Sequence, residues 1–369
     1  MAQILRAYAA AGLKAVQLRV FDSPLRLFCF IFRSGVSSPI LTARTPNVDP
    51  DQQSLQDQRN IFYLFKNESS SESFTLSDGR NIGFAYYGAQ NGPAVFYLHG
   101  FPGCRLSGVF FDGPGKKLGA RIIAVERPAI GISSPQPGRK ALDHANDIHE
   151  LAEHLNVKSY GIIGVSGGGP YALACAYALP EEKLKSVSII GGMGPIDIGT
   201  KGMNWSNWLT FKGFMYFPAL VRWIQNRVIS ILRDLPNEKI IEMTNSRFSK
   251  LSYKWLSANE KAIGILRDPE FINLMLNFYR EHYKQGVDGY MEEGRVLTSD
   301  LDFCVEDIRS SIPIQLWYGR QDTNVPLRMG EAIASRLTSR PDLYVKDETH
   351  LSLVLKYSFD ALERLLEKM

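Results

Sequence analysis

The sequence predicts an α/β fold: a mostly parallel central sheet flanked by helices, with a helical insertion before the last strands. Three observations predict it. Short apolar runs, rich in Val and Ile, recur from about residue 73 onward and end in loops. Helical patterns lie between several of those runs, as a parallel sheet covered on both faces requires. The alternation breaks once, between about 197 and 305, where helical periodicity continues without a convincing strand.

Taken in order, the elements begin with a hairpin. Ser73 to Leu76 and Ile82 to Tyr87 flank the turn residues Ser77-Asp78-Gly79. Strands are then expected at Ala94–Leu98, Arg121–Val125, Tyr160–Val165, Leu184–Ile190, Ile314–Tyr318 and Leu343–Val345. Each is short and nearly continuous in apolar residues, the pattern of a strand buried on two faces. Helices are expected at Ala141–Leu155, Pro170–Leu179, Met329–Leu337 and Ser358–Lys368. The insert holds Trp205, Trp208, Trp223 and Trp255, an aromatic content beyond what a connection needs. The expected organisation is an N-terminal extension and linker over 1–72, a core over 73–196 and 306–369, and a helical cap over 197–305.

The bulk numbers set limits on function. An apolar fraction of 45% suits a chain with a full core. A net charge of +4, spread without a basic run, argues against a nucleic-acid surface. The four cysteines, Cys29, Cys104, Cys175 and Cys304, lie far apart, so neither a zinc site nor a disulfide framework is signalled. The longest N-terminal apolar run, Leu27 to Phe32, is far shorter than the ~20 residues of a membrane span. Through Arg44 there are six basic residues and one acid, the bias of a mitochondrial presequence, but Arg6, Lys14 and Arg19 do not share a helical face. An intracellular location is expected, the cytoplasm ahead of the mitochondrion.

The chemistry centres on Gly164-Val165-Ser166-Gly167-Gly168, which matches the nucleophile-elbow pattern G-x-S-x-G. A strand precedes it and Gly169-Pro170 opens a helix, so the turn is tight and its neighbours must lack bulk. A phosphate loop is the alternative, but no Gly-Lys-Ser/Thr follows. A serine hydroxyl needs a base. Of six histidines, His350 alone follows the last strand, at the carboxyl end of the sheet where ligands bind. His149-Glu150 begins like a zinc-protease motif, but His154 falls at i+5 and off the face. An acid must orient the imidazole. Asp322, just past the strand Ile314–Tyr318, is favoured over Asp197 by strand position and chain order.

With these residues in place, the chain resembles the capped, serine-nucleophile α/β-hydrolases over about 73–369. The points of match are His99-Gly100-Phe101-Pro102-Gly103, Glu126-Arg127-Pro128, Gly164–Gly168, Gly319–Asp322 and His350. The resemblance implies an oxyanion hole made by the backbone N–H groups of Phe101 and Gly167. It implies cleavage of a carboxylic ester of a small apolar metabolite through an acyl-enzyme, with no metal or cofactor. The partner is a small acyl substrate, and the oligomeric state is left open. Trp205, Trp208, Phe214 and Trp223 are the candidates for contacting that substrate. The chain departs from relatives at two places, the first of which disfavours epoxide-hydrolase and dehalogenase chemistry. Epoxide hydrolases and haloalkane dehalogenases carry aspartate where this chain has Ser166, and Arg127-Pro128-Ala129-Ile130-Gly131 replaces a commoner Arg-Pro-Gly-Tyr-Gly. The fold also hosts acyltransferases, C–C hydrolases, lyases, cyclases and non-catalytic receptors.

Overall fold

Among the described residues, backbone pairing joins eight strands into one sheet in the order β1-β2-β4-β3-β5-β6-β7-β8. A computed structural model describes residues 70–242 and 268–369; Trp255 and nearly all of the expected extension 1–72 lie outside these. The strands are β1 (Ser70–Thr75), β2 (Asn81–Gly88), β3 (Ala94–Leu98), β4 (Arg121–Val125), β5 (Tyr160–Val165), β6 (Leu184–Ile190), β7 (Ile314–Gly319) and β8 (Asp342–Lys346). Contacts of β2 with β1 and β4 are antiparallel, and the rest of the sheet is parallel.

The central apolar runs form strands because both faces are covered, whereas β8 at the edge is only partly buried. Along β3, Ala94, Phe96 and Leu98 enter one core cluster while Val95 and Tyr97 enter the other. The first cluster takes Ala145, Ile148 and Leu151 from α2 (Ala141–His154), most of α3 (Gly169–Ala178), and Met329 and Ile333 from α8 (Leu327–Arg336). The second takes Phe111, just before α1 (Asp112–Leu118), and Leu353, Leu362 and Leu365 from α9 (His350–Leu366). Side chains alternating between two apolar layers are the period-2 signature of a central strand.

Two elements depart from expectation. The sheet starts at Ser70, inside the segment expected to be linker. Ser71, Glu72 and Ser73 are exposed on this edge strand, so backbone pairing with β2 defines it without an apolar signal. Helix α9 begins at His350 instead of Ser358, so His350 opens a helix where a loop was expected. Thr349 caps it: its N–H donates to Ser352 Oγ at 3.0 Å, and the two hydroxyls meet at 2.9 Å. The first turns carry no clean stripe because they are covered twice. Leu353 and Val354 face the sheet core, while Leu351 and Leu355 pack on Phe271.

Between β6 and β7 the chain forms α4 (Trp205–Tyr216), α5 (Pro218–Asp234), α6 (Pro269–His282) and α7 (Asp288–Leu297). These helices share an apolar cluster of their own that includes Phe214, Val221, Val228, Ile231, Leu276, Tyr283 and Tyr290. Gly294 sits mid-helix in α7, at an ordinary cost of about 1 kcal/mol against Ala. A Cβ there would run into the Phe214 ring, which explains the glycine. Among the described residues no helix is long and apolar enough to cross a membrane.

Candidate active site

The sheet order brings the functional loops together. β3 and β5 are parallel neighbours in register, Leu98 beside Gly164, so the loop after β3 and the elbow after β5 leave the sheet side by side. β6, β7 and β8 follow in order; the loop after β7 carries Asp322, and the helix that follows β8 opens on His350.

Ser166 occupies the elbow with φ +54°, the left-handed region that a non-glycine residue enters only at a cost. The turn is tight enough to exclude side chains on either side. A Cβ on Gly164 would sit 2.7 Å from Ala172 Cβ, and one on Gly167 would sit 3.0 Å from the Phe101 backbone nitrogen. Gly100 presses on the serine itself: a Cβ there would lie 3.2 Å from Ser166 Cβ and 3.8 Å from its Oγ. The amide-bearing segments at Phe101 and Gly167 are thus adjacent, next to the hydroxyl.

His350 Nδ1 lies 2.6 Å from Asp322 Oδ2. The other carboxylate oxygen, Oδ1, accepts from the Asn324 and Val325 N–H groups at 2.8 and 2.9 Å. Three bonds hold this buried carboxylate in one orientation, while the His350 side chain keeps 17% of its surface exposed. Burial pushes the imidazole toward neutrality, but the charge and hydrogen bond of Asp322 outweigh it and raise its pKa above the usual histidine value. Asp197, the rival acid, instead pairs with Arg336 at 2.8 Å on the surface.

Gly191, at the end of β6, was not singled out by the sequence reading. Its φ is +52°, and a Cβ there would lie 3.2 Å from His350 Nδ1 and 3.4 Å from Asp322 Oδ2. Its only signal in the sequence was the Gly191-Gly192 pair directly after a strand.

A buried ionic cluster lies behind the loop after β3. The Arg127 guanidinium donates to the carbonyls of His99 at 2.7 Å and Gly100 at 2.9 Å. The peptide plane converts this into an orientation: with Gly100 C=O held by Arg127, the Phe101 N–H of the same trans peptide must point the opposite way. Arg127 Nε pairs with Glu293 Oε1 at 2.7 Å, and Glu293 Oε2 pairs with Arg139 at 2.5 Å. Tyr171 OH takes an Arg139 N–H at 2.8 Å. Burial opposes the charge on Glu293, but the two guanidiniums overcome it and hold the carboxyl below its usual range. Burial, with the Arg127 charge, pushes His99 well below the histidine range, so its ring is neutral. Arg127 belongs to the Glu126-Arg127-Pro128 match, which by itself assigns it no role. Glu293 gave no sign, because Glu292-Glu293-Gly294-Arg295 reads as a solvated helix face.

The insert contacts this region in several places. Glu293 is on α7. His282 of α6, pushed down to about 4 by burial, meets the Gly103 carbonyl through Nδ1 at 2.8 Å. The Phe101 ring stands 4.7 Å from Tyr290 and 5.9 Å from Phe214, centroid to centroid. Asn204, which caps α4, donates to Asn324 Oδ1 at 2.8 Å beside the acid loop. Of the four aromatics expected to contact substrate, Phe214 is buried next to Phe101, whereas Trp205, Trp208 and Trp223 are exposed at 54%, 45% and 45%.

Known proteins resemble this chain in sequence and in fold. A family model described as the alpha/beta hydrolase fold matches residues 93–356. A bifunctional esterase/perhydrolase from Acinetobacter calcoaceticus is 22% identical over 276 residues, 73% of this chain and 88% of its own. A non-heme chloroperoxidase from Streptomyces lividans is 33% identical over 127 residues, 33% of this chain and 45% of its own. The solved structure of an esterase from Exiguobacterium antarcticum superposes with a TM-score of 0.55 at 17% identity, covering 80% of this chain and 98% of its own. Since the family match spans well over half its length, the chain belongs to the alpha/beta hydrolase fold family and is a hydrolase.

Proposed function

We propose that the protein hydrolyses carboxylic esters of small apolar molecules through a covalent acyl-enzyme on Ser166. The observation that carries this reading is the His350–Asp322 bond of 2.6 Å at the same edge of the sheet as the strained Ser166 elbow. With Nδ1 bonded to Asp322, the other imidazole nitrogen is left to take the Ser166 proton. Ser166 Oγ attacks the ester carbonyl, and the oxyanion rests on the Phe101 and Gly167 N–H groups. His350 returns the proton to the leaving alcohol. Water then gives a proton to His350, adds to the acyl carbon and releases the acid, and Ser166 recovers its proton. The esterase in the name of the Acinetobacter relative is consistent with this chemistry.

In this reading residues 73–196 and 306–369 form the catalytic core and 197–305 a cap. Phe101, which lies against Gly167 beside Ser166, joins its ring to those of Phe214 and Tyr290 as the apolar surface of the proposed pocket. The test combines two measurements on purified protein. A fluorophosphonate should add to Ser166, located by peptide mass, and p-nitrophenyl ester hydrolysis should vanish with that labelling. Labelling elsewhere, or an unlabelled Ser166 with ester hydrolysis intact, defeats the proposal.

A further inference from the structure

We propose that the outer corner of α4 and α5 docks on a bilayer surface rich in anionic lipid. The inference stands apart from the ester-hydrolysis reading and uses none of its residues' chemistry. Among the described residues, every exposed large hydrophobic side chain except Tyr177 lies between Trp205 and Trp223. Helix α4 turns Phe211 and Phe214 inward, and α5 does the same with Val221, Val228 and Ile231. The apolar core of the insert is therefore complete without Trp208, Tyr216, Phe217, Leu220 or Trp223, which all face solvent. The turn itself, Met215-Tyr216-Phe217-Pro218-Ala219-Leu220, is apolar and exposed at every position. Exposed apolar surface this concentrated marks an interaction site.

Charge selects the occupant. From Gly199 to Arg233 the chain holds Lys201, Lys212, Arg222, Arg227 and Arg233 and no acidic residue. Arg222 pairs with Asp288 and Arg233 with Asp234, while Lys212 and Arg227 lie over the rings of Tyr216 and Trp223 at 5.6 and 5.4 Å. Aromatic rings flanked by lysine and arginine, in a segment that carries no acid of its own, match the belt where protein meets lipid headgroups. Lysine is depleted at protein–protein interfaces, but at a lipid surface its stem lies against apolar groups while its head reaches the phosphates. Anionic headgroups complement the surplus positive charge.

The experiment uses the full chain. Flotation is measured with vesicles of phosphatidylcholine alone and of phosphatidylcholine with phosphatidylserine. The protein should float with the anionic vesicles and much less with the neutral ones, and about 0.5 M salt should weaken the binding. The double substitution F217S/L220S should reduce partitioning roughly tenfold or more, with an unchanged melting temperature showing that the fold survives. Failure to float with anionic vesicles, or equal flotation of the wild type and a folded variant, overturns the proposal. So does a concentration-dependent dimer in sedimentation velocity that the double variant abolishes, which would assign this face to a second copy of the chain.

Discussion

Ser166 is held at φ +54° by glycines whose missing side chains leave room for nothing larger, and its neighbours decide what such a hydroxyl can do. Ser166→Ala should leave the fold intact and lower kcat on the order of 10⁴-fold or more, as measured by initial rates on p-nitrophenyl butyrate. The pKa of His350 is raised, because the Asp322 charge and bond outweigh burial. A general base must be neutral, so kcat/KM should rise with pH through an inflection above the usual histidine value of about 6.5. Stability responds with the opposite sign. The folded state favours protonated His350, so this contribution is present below the unfolded pKa and is lost as pH rises through the folded one. Asp322→Asn removes the charge that raises the pKa and should cost about 10³–10⁴-fold in kcat. Asp197→Asn, which touches only a surface pair with Arg336, should leave the rate within about twofold, since exposed pairs contribute little. A rate profile with the reverse ranking would move the acid.

At the scale of elements, α7 is tied to the loop after β3 through one buried carboxylate. Glu293 holds Arg127, and Arg127 holds the carbonyl whose own peptide carries the Phe101 N–H. Arg127→Lys keeps the charge but loses the fork that spans Glu293 and two carbonyls. It should lower kcat by roughly ten- to a hundredfold with little change in KM, the pattern of a lost transition-state contact. Equal effects on kcat/KM arising from KM alone would reject that role. Glu293→Gln leaves two buried guanidiniums without their counter-charge, at a cost of about 3–5 kcal/mol. Urea unfolding should show it as a lower midpoint at unchanged slope. A second tie runs from Arg105 to Glu126 in the core and to Glu281 of α6, the latter at 2.6 Å. These charged contacts, with Phe101 against Phe214 and Tyr290, bring the insert to the mouth of the proposed site.

The size of the proposed substrate is a matter for the whole molecule. In the proposed site the Phe101 ring of the core loop meets the Phe214 and Tyr290 rings of the insert, and each methylene buried against them would be worth about 0.8 kcal/mol, or roughly fourfold in kcat/KM. The series acetate, butyrate, hexanoate and octanoate of p-nitrophenol should therefore show rising kcat/KM until the space is filled. A flat or falling series would mean that Phe101, Phe214 and Tyr290 pack only on one another and admit no acyl chain.

The fold class, the strand positions and the elbow were legible because each is a local property. Short apolar runs such as Ala94–Leu98 and Tyr160–Val165 state that a strand is covered on both faces, and a small-x-Ser-x-small turn states its own geometry. Asp322 and His350 were legible from their places after strands, since the carboxyl ends of a parallel sheet converge. Neither their 2.6 Å bond nor the backbone amides that fix the acid could be read from spacing. Trp205, Trp208 and Trp223 show the limit most clearly. Their abundance announced an aromatic insert, but a ring serves a pocket, a core or a surface equally well, and these three are exposed. Glu293 shows the converse, a charge that reads as solvated and lies fully buried between two arginines from distant segments. By itself the sequence determined most of the core strands and helices and which side chain types are able to do chemistry, because local pattern and residue type encode those; the edge strand β1 and the start of α9 lay outside that pattern. Only the tertiary structure decided which charges are buried, which carbonyl Arg127 holds and which rings face water, because those depend on packing between segments far apart in the chain.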